Sequence, residues 1–68
     1  MSQNERNVLS VFRRYRVGPN KMLCFNSYDN NRFQSGMRLL IAKGMLSKDS
    51  FKHSYFLTPE GYAASLAI

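Results

Sequence analysis

Hydrophobic residues near the start of the chain recur at the spacing of one helical face. The members of this stripe are Val8, Leu9, Phe12 and Tyr15. Asn4 can cap a helix that begins there, and Gly18-Pro19 is a sequence that ends helices. The pattern therefore predicts a first amphipathic helix over about 4–16.

The segment 20–28 has no clear period. Its residues 22–25 form a short continuous apolar run, followed by turn-prone Asn26 and Ser27. Such a run fits a buried strand or a single helical turn, and periodicity cannot choose between them. Cys24, within this run, is expected to be a small buried hydrophobe.

The strongest helical pattern covers about 30–43. Its apolar residues are Phe33, Met37, Leu40 and Ile41, which again share one face. Asp29 or Asn30 is expected to cap this helix, and Lys43-Gly44 to end it. Gly36 lowers helix propensity and suggests a close approach of another backbone.

The last third of the chain predicts a β-hairpin and a short helix. The strands are expected at Met45–Lys48 and Ser54–Leu57, joined through the turn-like Asp49-Ser50. Thr58-Pro59-Glu60 then has the residue types of a helix start, so a final helix is expected from Pro59 to about Ala67.

These elements predict one α+β domain that spans residues 1–68. The expected core consists of Val8, Phe12, Phe33, Met37, Leu40, Ile41, Leu46, Leu57 and Tyr62. A domain this short has a net stability of roughly 3–5 kcal/mol.

The charge of the chain restricts its function. Ten Lys and Arg against four Asp and Glu give a formal charge of +6, which favours phosphate polymers as partners. One cysteine and one histidine make neither a disulfide nor a zinc site, and no cofactor is expected. The polar start, 1–7, and the lack of a long apolar run predict a cytoplasmic protein without a membrane partner.

Two short motifs carry a resemblance to a known family. The stretch from Leu40 to Leu46, LIAKGML, resembles the recognition-helix exit of MarR-type and PadR-type regulators. The stretch from Leu57 to Tyr62, LTPEGY, is similar to the sequence that closes the wing in those families. The resemblance implies a winged helix-turn-helix fold, with a three-helix core, a two-stranded hairpin wing and a short C-terminal helix. Since full MarR-type proteins carry additional dimerisation helices, the chain looks more like small phage or mobile-element proteins.

By this resemblance, the helix over about 30–43 enters the major groove of DNA and the wing over about 45–57 lies on the backbone. The base-contacting candidates are Asn31, Arg32, Gln34, Ser35 and Arg38. On the wing, Lys48, Lys52 and His53 are expected to approach phosphate or the minor groove. The arginines Arg13, Arg14 and Arg16 are expected to hold a flanking phosphate. A plain solvated helix face, and compensation of a helix dipole by the three arginines, are the simpler alternatives.

The function expected from the sequence is that of a sequence-specific DNA-binding regulator or accessory factor. A winged-helix module that binds another protein is the alternative, and RNA binding is a smaller third possibility. A homodimer through Leu66 and Ile68 is also expected. Enzymatic activity is not expected, because the four carboxylates are scattered along the chain and no nucleophile signature accompanies His53.

Overall fold

The chain forms four helices and three strands. A computed structural model describes residues 1–68 and gives the elements, in chain order, as α1 (Gln3–Arg14), β1 (Met22–Cys24), α2 (Ser27–Arg32), α3 (Gln34–Ala42), β2 (Leu46–Lys48), β3 (Ser54–Leu57) and α4 (Pro59–Leu66). The strands form one antiparallel sheet in the order β1-β3-β2. The chain is therefore an α+β domain, as the sequence predicts.

Helix α1 begins earlier than expected because of a capping box. The Ser2 hydroxyl accepts from the Glu5 backbone N–H, and the Glu5 carboxylate accepts from the Ser2 backbone N–H at 2.8 Å. Asn4, the expected cap, lies inside the helix and donates through its side-chain amide to the Ser35 hydroxyl. The helix ends at Arg14, so the Tyr15 ring falls past its end and is exposed.

The ambiguous segment 20–28 contains a strand and the start of a helix. β1 pairs with β3 in the register Met22↔Phe56 and Leu23↔Tyr55. This long-range pairing decides between a strand and a helical turn for the apolar run, since a strand is stabilised by its neighbour across the sheet. Cys24 lies on an edge strand and is exposed, so its expected burial is wrong.

The single helix expected over 30–43 is wrong, because the chain forms two helices that meet at Phe33. Phe33 has φ −101° and ψ 11°, which interrupts the helical backbone. The cap of α2 is Asn26, whose side chain accepts from the Asp29 N–H at 2.7 Å. Asn30 is neither a cap nor exposed; its buried side chain accepts from the Tyr55 hydroxyl at 3.1 Å.

The hairpin and the final helix are confirmed. β2 and β3 pair antiparallel in the register Leu46↔Leu57 and Lys48↔Tyr55. Gly44, with φ +74°, ends α3 in the left-handed conformation that favours glycine. The Thr58 hydroxyl caps α4 by accepting from the Gly61 N–H, and it also donates to the Gly44 carbonyl at 2.7 Å.

The core confirms seven of the nine expected residues: Val8, Phe12, Phe33, Met37, Leu40, Leu46 and Leu57. Ile41 is 42% exposed, so its predicted burial is wrong, while Tyr62 is half-buried and packs against the edge of the core. Leu40 and Met37 face the interior, and Ile41 is turned about 100° further round the helix than Leu40. The core also contains three residues absent from the expected set: Leu9, Phe25 and Tyr55.

Gly36 lies where α3 approaches the backbone of α1, as its sequence position suggests. A Cβ at this position would be 2.6 Å from the Asn4 carbonyl oxygen, closer than side chains tolerate. Phe25 fills the centre of the core, with ring centroids 5.8 Å from Phe12 and 5.9 Å from Tyr55. These ring contacts join three segments in one core: α1 through Phe12, the chain just after β1 through Phe25, and β3 through Tyr55.

An ion pair between the buried Glu5 and the exposed Lys43 joins the start of α1 to the end of α3. The Lys43 ammonium lies 2.6 Å from the Glu5 carboxylate, whose side chain is 3% exposed. This hydrogen bond, with that from the Ser2 backbone N–H, lowers the pKa of Glu5 from 4.5 to about 2. The charged form of Glu5 therefore stabilises the folded state.

This pair predicts a loss of stability in acid. Because the pKa of Glu5 is lower in the folded state, its contribution is complete above pH 4.5 and is lost as the pH falls towards 2. We expect chemical denaturation to show that the free energy of unfolding falls between these pH values. In Glu5→Gln this fall should be smaller. The control Glu60→Gln removes an exposed carboxylate and should leave the loss intact; equal losses in both variants would contradict the assignment.

Candidate functional site

Helix α3 presents an exposed face that contains Arg38. Gln34, on the same side, is half-buried, while the exposed Ser35 accepts the hydrogen bond from Asn4. Ser35 is therefore already engaged in joining α3 to α1. Of the five side chains predicted to contact bases, only Gln34, Ser35 and Arg38 lie on α3.

The other two predicted base contacts lie on the preceding helix. Asn31 and Arg32 are both exposed in the last turn of α2. The Arg32 guanidinium lies over the Phe33 ring, 5.2 Å from its centroid. The break at Phe33 therefore divides the predicted set between two helices.

The exposed face of α3 also carries apolar residues. Leu39 is 45% exposed and Ile41 is 42% exposed, on either side of the direction in which Arg38 projects. The sequence analysis missed this feature because it placed Ile41 in the core. The signal available was that Leu39, Leu40 and Ile41 are consecutive and cannot all face one side of a helix.

One cation near the tip of the β2–β3 hairpin, Lys48, is hydrogen-bonded to the hairpin's own backbone. The Lys48 ammonium donates to the Asp49 carbonyl at 2.7 Å and to the Phe51 carbonyl at 2.9 Å. Lys52 is exposed, and Phe51 beside it is 63% exposed. His53 is half-buried with φ +56°, at the point where the chain enters β3.

The arginines at the end of α1 lie beside α4. Together with Val17, Tyr62, Leu66 and Ile68 they line an open groove of about 750 Å³, here named the α1–α4 groove. The Arg13 guanidinium donates to the Ser65 carbonyl at 3.4 Å. No residue of α3 or of the hairpin lines this groove, so it holds Arg13, Arg14 and Arg16 apart from the predicted DNA contacts on those two elements.

Arg14 also lines a second, smaller groove between α1 and α2. Arg32 and Asp29 are among the other residues that line it. Arg14 therefore lies between the two grooves, and on the α2 side it is close to Arg32, a predicted DNA contact.

The positive charge of the surface is almost entirely unpaired. Lys43 is the one basic side chain with a carboxylate within 4.0 Å, so nine of the ten Lys and Arg residues have no such partner. A protein whose surface cations are not neutralised by its own carboxylates has a positive field available to an anionic partner.

No three His, Cys, Asp or Glu side chains come together as a metal-binding group. The Cys24 thiol lies 3.0 Å from the Ser54 hydroxyl, in a contact between β1 and β3. No helix is both long and apolar enough to cross a membrane.

Leu66 and Ile68, the residues expected to join two copies, are 53% and 45% exposed. Their exposure leaves them free to contact a partner, and the dimer stays a prediction. Comparison with protein-family models, curated proteins and solved structures finds no match to this chain.

Proposed function

We propose that the protein is a winged-helix DNA-binding factor, with α3 as its recognition helix and the β2–β3 hairpin as its wing. The observation that carries the proposal is the unpaired charge: nine basic side chains without a carboxylate partner on a domain of 68 residues. Duplex DNA is a partner that such a field attracts, because binding of its phosphates releases condensed counterions.

The order of the elements supports the same proposal. Two short helices meet at Phe33, and the second is followed directly by an antiparallel hairpin. The nine residues of α3 extend over roughly 13 Å, a length that the major groove accommodates. The resemblance of Leu40–Leu46 and Leu57–Tyr62 to regulator sequences favours this arrangement further.

The contacts of the side chains assign them different roles. Arg38 is exposed and unpaired, so it is the candidate for a bidentate contact to guanine, with Gln34 as a candidate for adenine. Ser35 is held by Asn4, and Asn31 and Arg32 precede the recognition helix, so these three are assigned to the DNA backbone. On the wing, Lys52 and His53 are assigned to phosphates.

The test is a salt titration that separates base reading from phosphate binding. A preferred site is first selected from random duplexes, and binding is then measured on this site and on random DNA. We expect Arg38→Ala to weaken binding to the preferred site by about 1–3 kcal/mol more than binding to random DNA. Lys52→Ala should weaken both alike and reduce the slope of log affinity against log salt by about 0.9.

Lys21→Ala is the matched control, because it removes one exposed cation outside α3 and the hairpin. Lys48→Ala is less suitable as a test, since it also releases two carbonyl groups of the hairpin tip. Absence of salt-dependent binding in the unaltered protein would refute the proposal. Equal losses in Arg38→Ala and Lys21→Ala would show that α3 does not read the sequence.

A protein-binding role for the same helix is the second candidate. The exposed Leu39 and Ile41 favour it, because apolar side chains on an exposed helix face are typical of protein interfaces. Leu39→Ser distinguishes the two functions: it should reduce protein binding, while Arg38→Ala has the larger effect on DNA binding.

A further inference from the structure

The α1–α4 groove combines an apolar part with a positively charged part. Its apolar part is formed by Val17, Tyr62, Leu66 and Ile68, of which the last two are about half exposed. Its polar part contains three arginines and two serines, and no Asp or Glu side chain lines it. A ligand that fits both parts must itself be apolar and acidic.

We propose that this groove binds an acidic amphipathic segment of another protein, independently of the DNA-binding face. Leucine-like side chains of the segment cover Leu66 and Ile68, and its carboxylates pair with Arg14 and Arg16. Both arginines are exposed and have no carboxylate partner of their own. Arginine suits this role because its planar guanidinium accepts a carboxylate in a bidentate geometry.

The third arginine has a positioning role in the same site. Arg13 donates to the Ser65 carbonyl near the end of α4, and so ties α4 to α1 along the groove. This bond places a cation where the helix dipole of α4 is negative. This hydrogen bond joins the two walls of the groove.

The apolar lining argues against nucleic acid as the occupant. A DNA backbone satisfies arginines but offers nothing apolar to cover Leu66, Ile68 and Tyr62. The groove also contains no residue of α3 or of the hairpin, and Arg14 is the one of its arginines that also lines the neighbouring groove with Arg32.

Charge argues against a second copy of the chain. In a symmetric dimer each subunit contributes the same patch, so a contact through this groove would bring two sets of three arginines together. Each copy also carries a formal charge of +6. An acidic partner relieves this repulsion, whereas a second copy increases it.

The experiment uses the complete chain and a fluorescein-labelled synthetic peptide with Glu and Leu at amphipathic helical spacing. Two control peptides replace every Glu by Gln or every Leu by Ser. We expect binding to the first peptide and at least a tenfold weaker affinity for both controls. Amide chemical shifts should change mainly at the end of α1 and along α4.

Variants separate this site from the DNA-binding face. Leu66→Ser should weaken peptide binding about tenfold and leave DNA binding unchanged. Arg14→Gln combined with Arg16→Gln should weaken peptide binding and reduce its salt dependence. Arg38→Gln should weaken DNA binding and leave peptide binding unchanged. The DNA-binding proposal and the groove proposal are therefore tested by different variants and can fail independently.

Three results would overturn the proposal. One is peptide binding that survives the loss of Glu or Leu from the peptide, which would indicate nonspecific attraction. Another is a pattern of shifted amides centred on α3. The third is sedimentation of the unaltered chain as a dimer that Leu66→Ser dissociates, which would make a second copy the occupant of the groove.

Discussion

Leu40→Ala is expected to remove most of the free energy of unfolding of this protein. The side chain is 0% exposed and belongs to the single hydrophobic core. Truncation of a fully buried leucine costs about 2–5 kcal/mol, from lost burial and from the cavity that remains. A domain of this size has only roughly 3–5 kcal/mol in total, so the variant should be largely unfolded.

Leu39→Ala is the matched control for this prediction. It removes the same atoms from the adjacent position of α3, where the side chain is 45% exposed. We expect its thermal unfolding, followed by circular dichroism, to stay close to that of the unaltered protein. Similar melting temperatures for the two variants would show that α3 does not present Leu40 to the core.

Gly61→Ala is expected to be nearly as damaging, for a steric reason. A Cβ at this position in the first turn of α4 would overlap the Met45 carbonyl oxygen and approach the Leu57 side chain to 3.2 Å. The Met45 carbonyl accepts from the Thr58 backbone N–H at 3.1 Å, so it cannot move away freely. We expect a loss of about 3 kcal/mol, at the upper end of the usual cost of overpacking.

The control for this prediction is Gly18→Ala. The nearest atom to a Cβ at position 18 is the Lys21 Cγ at 3.9 Å, which is an ordinary contact. Urea denaturation should therefore give a midpoint near that of the unaltered protein for Gly18→Ala and a much lower one for Gly61→Ala. Equal midpoints would mean that α4 does not pack against the start of β2 as the structure has it.

The candidate site could be predicted from the sequence only in part. Charge and helix periodicity identify Arg38 as an exposed cation, because both are local properties of the chain. The engagement of Lys48 in the hairpin tip and of Ser35 with Asn4 depends on loop and interhelix geometry, which no periodicity reports. The α1–α4 groove likewise exists because residues far apart in sequence, such as Arg13 and Ser65, meet in space.

The sequence by itself determined the elements that have strong local signals. The hairpin, the Gly44 end of α3 and the Thr58 start of α4 depend on turn chemistry and capping, which act within a few residues. Seven core residues followed from the spacing of apolar side chains.

Tertiary structure decided what local signals left open. β1 is a strand because β3 pairs with it, and the helix breaks at Phe33 where the chain also buries Asn30 against the Tyr55 hydroxyl. That break divides the predicted helix, and the packing of α3 against α1 leaves Ile41 outside the core. The physical reason is that helical periodicity indicates which residues share a face, while the position of a break and the choice of buried face depend on contacts with distant segments.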